Sequence, residues 1–162
     1  MSAITLDQAN GIIAAILKRG AETNCRPLSV VVVEPGCVVK AFQKEDGASM
    51  SRFEMAYGKA YASLALGRSS SLVKLRQNEK PEFVSFLIGT SGDRLFAEGG
   101  GRLIRGTDGS VIGAVGVTGD TEENDEELAA HGIHATGLKI DEDCEGFNDA
   151  PGRGVHERRR GR

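Results

Sequence analysis

The sequence predicts a single α+β domain, on three observations. Two β-branched or apolar runs flank Pro35-Gly36, and two more flank Asp108-Gly109, so each turn reads as the tip of a hairpin. Amphipathic segments that begin on capping patterns stand before and between these hairpins, and a helix with an acidic start follows them. A chain of 162 residues without internal repeats fits one domain with one normal core.

The elements follow in order. Thr5-Leu6-Asp7-Gln8 is a capping box, and Leu6, Ala9, Ile13, Ile16 and Leu17 then share a helical face that ends near Gly20. Leu28 to Val33 reads as a strand buried on both faces, hence central. Cys37 to Gln43 returns as its hairpin partner. Ser51-Arg52-Phe53-Glu54 caps a helix whose core face is predicted at Phe53, Tyr57, Ala60 and Leu64, with Gly67 as C-cap. Gly58 costs this helix about 1 kcal/mol relative to Ala, which marks a close approach by backbone or ligand. Ser69 to Ser71 cap a short helix running toward Glu79 and stopped by Pro81. Phe83 to Ile88 is too short to assign by period, and Leu95 to Ala97 reads as a short strand. Arg102 to Arg105 and Val111 to Thr118 form the second hairpin. The last helix spans Asp120 to His131, ended by Gly132. Residues 139–162 show no apolar periodicity and mixed charge, and are predicted to be a disordered tail outside a domain of residues 1–138.

Composition excludes several classes. A net charge of −3 and the absence of Trp argue against a broad nucleic-acid surface; the Arg cluster at residues 158–162 is the one basic run. No apolar stretch reaches the length of a membrane helix, and no signal-peptide pattern is present, so a cytoplasmic location is expected. Cys25, Cys37 and Cys144 have neither metal nor disulfide spacing and read as reduced thiols.

The chemistry-bearing candidates cluster around the second hairpin. Gly113, Gly116 and Gly119 recur every third residue, which is not a dinucleotide fingerprint. Strand alternation puts Val111, Val115 and Val117 on one face and leaves Ala114, Gly116 and Thr118 as a nearly bare floor, a candidate ligand surface or a close-packing face. Six acidic residues between Asp120 and Glu127 suit the helix dipole, with a divalent cation as the sharper alternative. His131 and His134 are candidate metal or haem donors, or surface histidines at a helix end. Arg52 and Lys59, on the helix from Ser51, suit a carboxylate ligand. Glu54 or Asp125 would act as acid or base were the protein an enzyme.

The segments VVEPGCVVKAFQKEDGAS, GKAYASLALGRSS and GGGRLIRGTDGSVIGAVGVTGDTEENDEELAAHGI resemble the GlcG/HbpS-like family of haem-binding or haem-degrading proteins. They are also similar to the C-terminal part of PduO-type corrinoid adenosyltransferases. The resemblance spans about Thr5 to Leu138. It implies a profilin-like domain with a five-stranded antiparallel sheet flanked by helices, homo-oligomers, and haem as a possible cofactor. One departure stands out: Arg102 follows Gly101 where family members often carry a proline after paired glycines, which places a cation at the expected site rim. No histidine obviously matches an axial ligand, and Thr118 or His131 would lie nearest to a haem.

Three functional classes therefore stand open: a small-molecule or haem-binding protein, a catabolic enzyme acting on a small carboxylated or oxygenated metabolite, and a partner subunit without a ligand. In the first, favoured class, a cleft between the sheet and the helix from Ser51 holds the ligand. Arg52, Gly100, Arg102, Gly116, Thr118 and Gly119 line it. Lys59, Asp125 and Glu54 are its catalytic candidates in the second class.

Overall fold

The computed structural model describes residues 3–147. The elements are α1 (Leu6–Glu22), β1 (Ser29–Glu34), β2 (Val38–Lys44), α2 (Arg52–Leu66), α3 (Ser70–Glu79), α4 (Pro81–Thr90), β3 (Gly101–Arg105), β4 (Val111–Thr118), α5 (Glu122–Ala135) and a 3-10 turn at Asp141–Asp143. The strands form one antiparallel sheet in the order β2-β1-β4-β3, with the two hairpins joined through β1 and β4. Both predicted turns form, with Gly36 and Gly109 at φ +89° and +85°.

The sheet has four strands rather than five. The expected strand at Leu95 to Ala97 does not form because its backbone is used elsewhere: the Phe96 amide donates to the carbonyl of Gly58 in α2 at 3.1 Å. This contact also accounts for Gly58, since a Cβ there would stand 2.7 Å from Phe96 Cβ. Phe83 to Ile88 lies within α4, where Pro81 starts the helix without losing a needed hydrogen bond.

Helices cover both faces of the sheet. On one, α1 and α5 enclose Ile12, Ile13, Ile16, Val30, Val32, Val115, Val117 and Ile133. On the other, α2 packs over Val31, Val33, Leu103 and Ala114. β1 is thus buried on both sides, as its β-branched run predicts. Val111 departs from the predicted alternation. A bulge opposite Ile104 and Arg105 inserts one residue, so Val111 joins Ala114 on the α2 face and Ile112 takes the α1 side. In α1 the buried stripe is Ala9, Ile12, Ile13, Ile16 and Gly20, while Leu6 is exposed.

Gly132 does not end α5. A Cβ at that position would stand 2.6 Å from Ile16 Cγ1, so the glycine lets α5 cross α1 closely and the helix continues to Ala135. From residue 139 to 147 the chain stays packed. Lys139 pairs with Arg105, the Arg105 guanidinium bonds Asp141 at 2.6 Å, and Ile140 and Phe147 are buried. Residues 139–147 of the expected tail thus pack against the domain; residues 148–162, with their Arg cluster, lie outside the described residues.

Candidate functional site

The predicted ligand floor is a packing face. A Cβ at Gly116 would stand 1.9 Å from the Ala56 carbonyl oxygen, and one at Gly101 would stand 2.2 Å from that of Lys59. The small residues of α2 and the glycines of β3 and β4 thus let the helix backbone rest directly on the sheet. The centre of the α2 contact is Ala56, Lys59, Ala60 and Ser63, whereas Phe53, Tyr57 and Leu64 are half-buried. No room for a macrocycle remains between α2 and the strands at this point.

Lys59 points inward. Its Nζ donates to Asp125 Oδ2 at 3.2 Å and to the Val117 carbonyl at 3.0 Å, and both charged side chains are at most 2% exposed. Asp125 Oδ1 accepts from the Asp120 amide. Burial pushes the Asp125 carboxyl above its usual range, opposed by the adjacent ammonium and the amide. Gly100, at φ +123°, sits against this pair: a Cβ would stand 3.0 Å from Nζ and 2.4 Å from the Val117 carbonyl. Gly119, at φ +138°, similarly makes room for the Pro27 carbonyl. Lys59, Asp125 and Gly100 are therefore brought together, but inside the protein. Glu54 is exposed on the first turn of α2.

Arg102 lies away from this pair. It binds the Glu142 carboxylate at 3.0 and 3.1 Å and Glu126 at 3.4 Å, tying β3 to α5 and to the 3-10 turn. The acidic run disperses in the same way. Asp120 pairs with Arg26, Glu122 with Lys74 and the Gly99 amide, and Glu126 with Arg102 and Ser71. Hydrogen bonds from Asn124 and the Arg26 amide hold the Asp120 carboxyl at about 2. Burial raises Glu122, but Lys74 and the Gly99 amide outweigh it and leave its carboxyl below the usual range. Among the described residues no group of three or more His, Cys, Asp and Glu side chains is placed to hold a metal ion.

At the N-terminal end of α2, Arg52 donates to Thr118 Oγ1 at 2.8 Å, so these two predicted partners do meet. The other concave region was not predicted as a unit. A cleft of about 470 Å³ between α1 and α5 is lined by Arg19, Thr23, Cys25, Asn124, Glu127, Leu128, Ala130, His131 and His134. His134 bonds Asp143 at 2.7 Å. Cys25 Sγ lies 3.4 Å from Thr23 Oγ1, and the same cysteine borders a second hollow of about 530 Å³ toward Pro27 and Gln43. The three cysteines are free thiols, and burial raises Cys37. Arg19 and Cys25 carried no motif of their own; only the His131/His134 spacing pointed here.

A family model described as haem degrading protein HbpS-like matches residues 4–134. The chain belongs to the HbpS-like family. Among solved structures, this HbpS-like fold is similar to Klebsiella pneumoniae protein ORFY, with 29% identity and a TM-score of 0.75, covering 85% of this chain and 92% of that one. It is similar to a PduOC:haem complex at 21% identity and a TM-score of 0.74, covering 85% and 97%. It also resembles HbpS at 21% identity and a TM-score of 0.71, covering 83% and 90%. A search of curated proteins finds no match. Within the described residues, no helix is long and apolar enough to cross a membrane.

Proposed function

We propose that this HbpS-like protein binds a small molecule, with haem as its ligand, in the cleft between α1 and α5. The observation that carries the reading is the side-chain set in that one cleft: a thiol from Cys25, imidazoles from His131 and His134, and the Arg19 guanidinium. Thiolate and imidazole are both axial donors to haem iron, and a guanidinium suits propionate carboxylates. The donor chemistry therefore fits the group. Bound haem would supply an iron centre whose electronics are set by its axial donor.

The residues of the chain divide the work. Asp143 holds His134 at the mouth, which leaves His131, half-buried one turn earlier, as the imidazole turned to the cleft. Cys25 stands opposite on the segment after α1, beside the Thr23 hydroxyl. Arg19 meets the carboxylates. The family match and the structural likeness to a PduOC:haem complex support haem as the ligand. We assign Lys59 and Asp125 a structural role, because the pair is buried and each charge satisfies the other.

Hemin titration of the purified protein, read at the Soret band and by native mass spectrometry, is the test. A saturable spectrum at fixed stoichiometry, weakened by Cys25→Ala or His131→Ala and abolished in the double variant, is the expected result. An unsaturable spectrum, or a double variant that binds like the parent, would sink the proposal.

A further inference from the structure

We propose that the N-terminal corner of α2 is a binding site for a small monocarboxylate, built from Arg52, Thr118 and Ser29 and plugged by the Met55 thioether when empty. This site lies on the opposite face of the sheet from the haem cleft and does not depend on it.

The first observation is an unbalanced charge. Arg102, Arg105 and Arg26 each bond a carboxylate, but Arg52, half-buried, contacts none among the described residues. Its guanidinium carries five donors, yet its contacts are the Thr118 hydroxyl at 2.8 Å and the Met55 sulfur at 3.4 Å. A thioether is a weak acceptor for a cation. The Thr118 hydroxyl also points at that sulfur, at 3.9 Å. Two donors thus converge on the spot held by Met55 Sδ.

The second observation is independent of Arg52. Ser29 is fully buried, and its Oγ is the buried side-chain oxygen without a hydrogen-bond partner among the described residues. Ser29 is the direct cross-strand partner of Thr118 on one side and of Lys44 on the other. Directly opposite residues share a face, and Val31 and Val33, at the same parity as Ser29, face α2. The orphan hydroxyl therefore lies beside Thr118 under the first turn of α2, with the exposed Lys44 cation at the rim. Leaving a buried hydroxyl unpaired is costly, so a group that supplies the missing hydrogen bond gains affinity.

The third observation is the helix end itself. No side chain caps α2: Ser51 makes no capping hydrogen bond, unlike Thr5 on α1 and Thr121 on α5. The helix dipole favours an anion there. A planar carboxylate matches the guanidinium in bidentate fashion. Its second lone pairs would reach the hydroxyls of Thr118 and Ser29 once Met55 swings outward. A small substituent then takes the place of the displaced thioether.

Acetate is the probe, titrated at constant ionic strength into isotope-labelled protein without hemin, with chloride and phosphate in parallel. Expected are saturable amide shifts centred on Ser29, Arg52, Met55 and Thr118, together with a moving Met55 methyl signal. Arg52→Ala abolishes them, Ser29→Ala weakens binding severalfold, and Met55→Ala tightens it severalfold by removing the plug. Shifts that are linear in acetate, equal to those with chloride, or unchanged in Arg52→Ala overturn the site. Equal or tighter phosphate binding overturns the carboxylate assignment. Should Arg52→Ala fail to fold, the opposed effects of Ser29→Ala and Met55→Ala decide the question, and unchanged affinity in both overturns it.

Discussion

Two cations of the same helix, Lys59 and Arg52, lie two turns apart and both reach the last residues of β4, yet their situations are opposite. Lys59 is fully buried, with the Asp125 carboxylate and the Val117 carbonyl as acceptors. Arg52 is half-buried, with a hydroxyl and a sulfur. The first site is electrostatically complete and closed. The second holds a charge whose counterion must come from solvent or from a ligand. A residue type that suggests binding in a sequence acquires that role only where its charge is left unmatched.

The largest expected effect comes from unbalancing the complete site. Lys59→Met strands Asp125 in the interior and should cost about 3–5 kcal/mol in urea unfolding. The double variant Lys59→Met/Asp125→Leu should recover most of that loss. A double variant as unstable as the single one would show that the pair does more than neutralise itself.

Next in size is the contact that closes the helix onto the sheet between the two cations. Gly116→Ala drives a methyl against the Ala56 carbonyl and should destabilise by about 1–3 kcal/mol. Calorimetry that finds the variant as stable as the parent would mean that α2 can lift from the sheet, and would reopen the expected cleft.

A smaller effect separates the two carboxylates that meet at the start of α5. The Asp120 carboxyl, held at about 2, contributes stability that is present above its unfolded value and is lost as pH falls toward 2. Asp125 has the opposite sign: its raised value makes its contribution fall as pH rises through the window above its unfolded value. Asp120→Asn should therefore flatten the acid limb of the stability profile between about pH 4 and pH 2. An unchanged limb would assign acid sensitivity to other carboxylates.

Smallest is the effect on stability of removing the unmatched cation. Arg52→Ala should cost about 1 kcal/mol, since the hydrogen bond to the buried Thr118 hydroxyl is lost but no ion pair is. A loss near that of Lys59→Met would show that Arg52 is structural, and the contrast between the two cations would fail.

Much of the architecture was readable from the chain. The β-branched run at Leu28 to Val33, the Pro35-Gly36 and Asp108-Gly109 turns and the Thr5 cap each act locally, and local signals survive folding. Local pattern misleads where a distant partner decides. Gly132 looks like a helix stop until Ile16 is seen against it, and Leu95 to Ala97 looks like a strand until Phe96 is seen bonding Gly58. Val111 changes face because of a bulge set by its pairing with β3. The Gly116 floor is bare of side chains, as strand alternation predicts, but what lies on it is the backbone of α2.

By itself the sequence determined the α+β class, the hairpins, most helix starts and the family, because capping, turn chemistry and hydrophobic period depend on neighbours a few residues away. Only the tertiary structure decided which charges are satisfied. Lys59 meets Asp125 across 66 positions, Arg52 meets Thr118 across the same separation, and the Ser29 hydroxyl meets no hydrogen-bond partner among the described residues. Coulombic and hydrogen-bond energies depend on distance and burial in space, and neither can be counted along the chain.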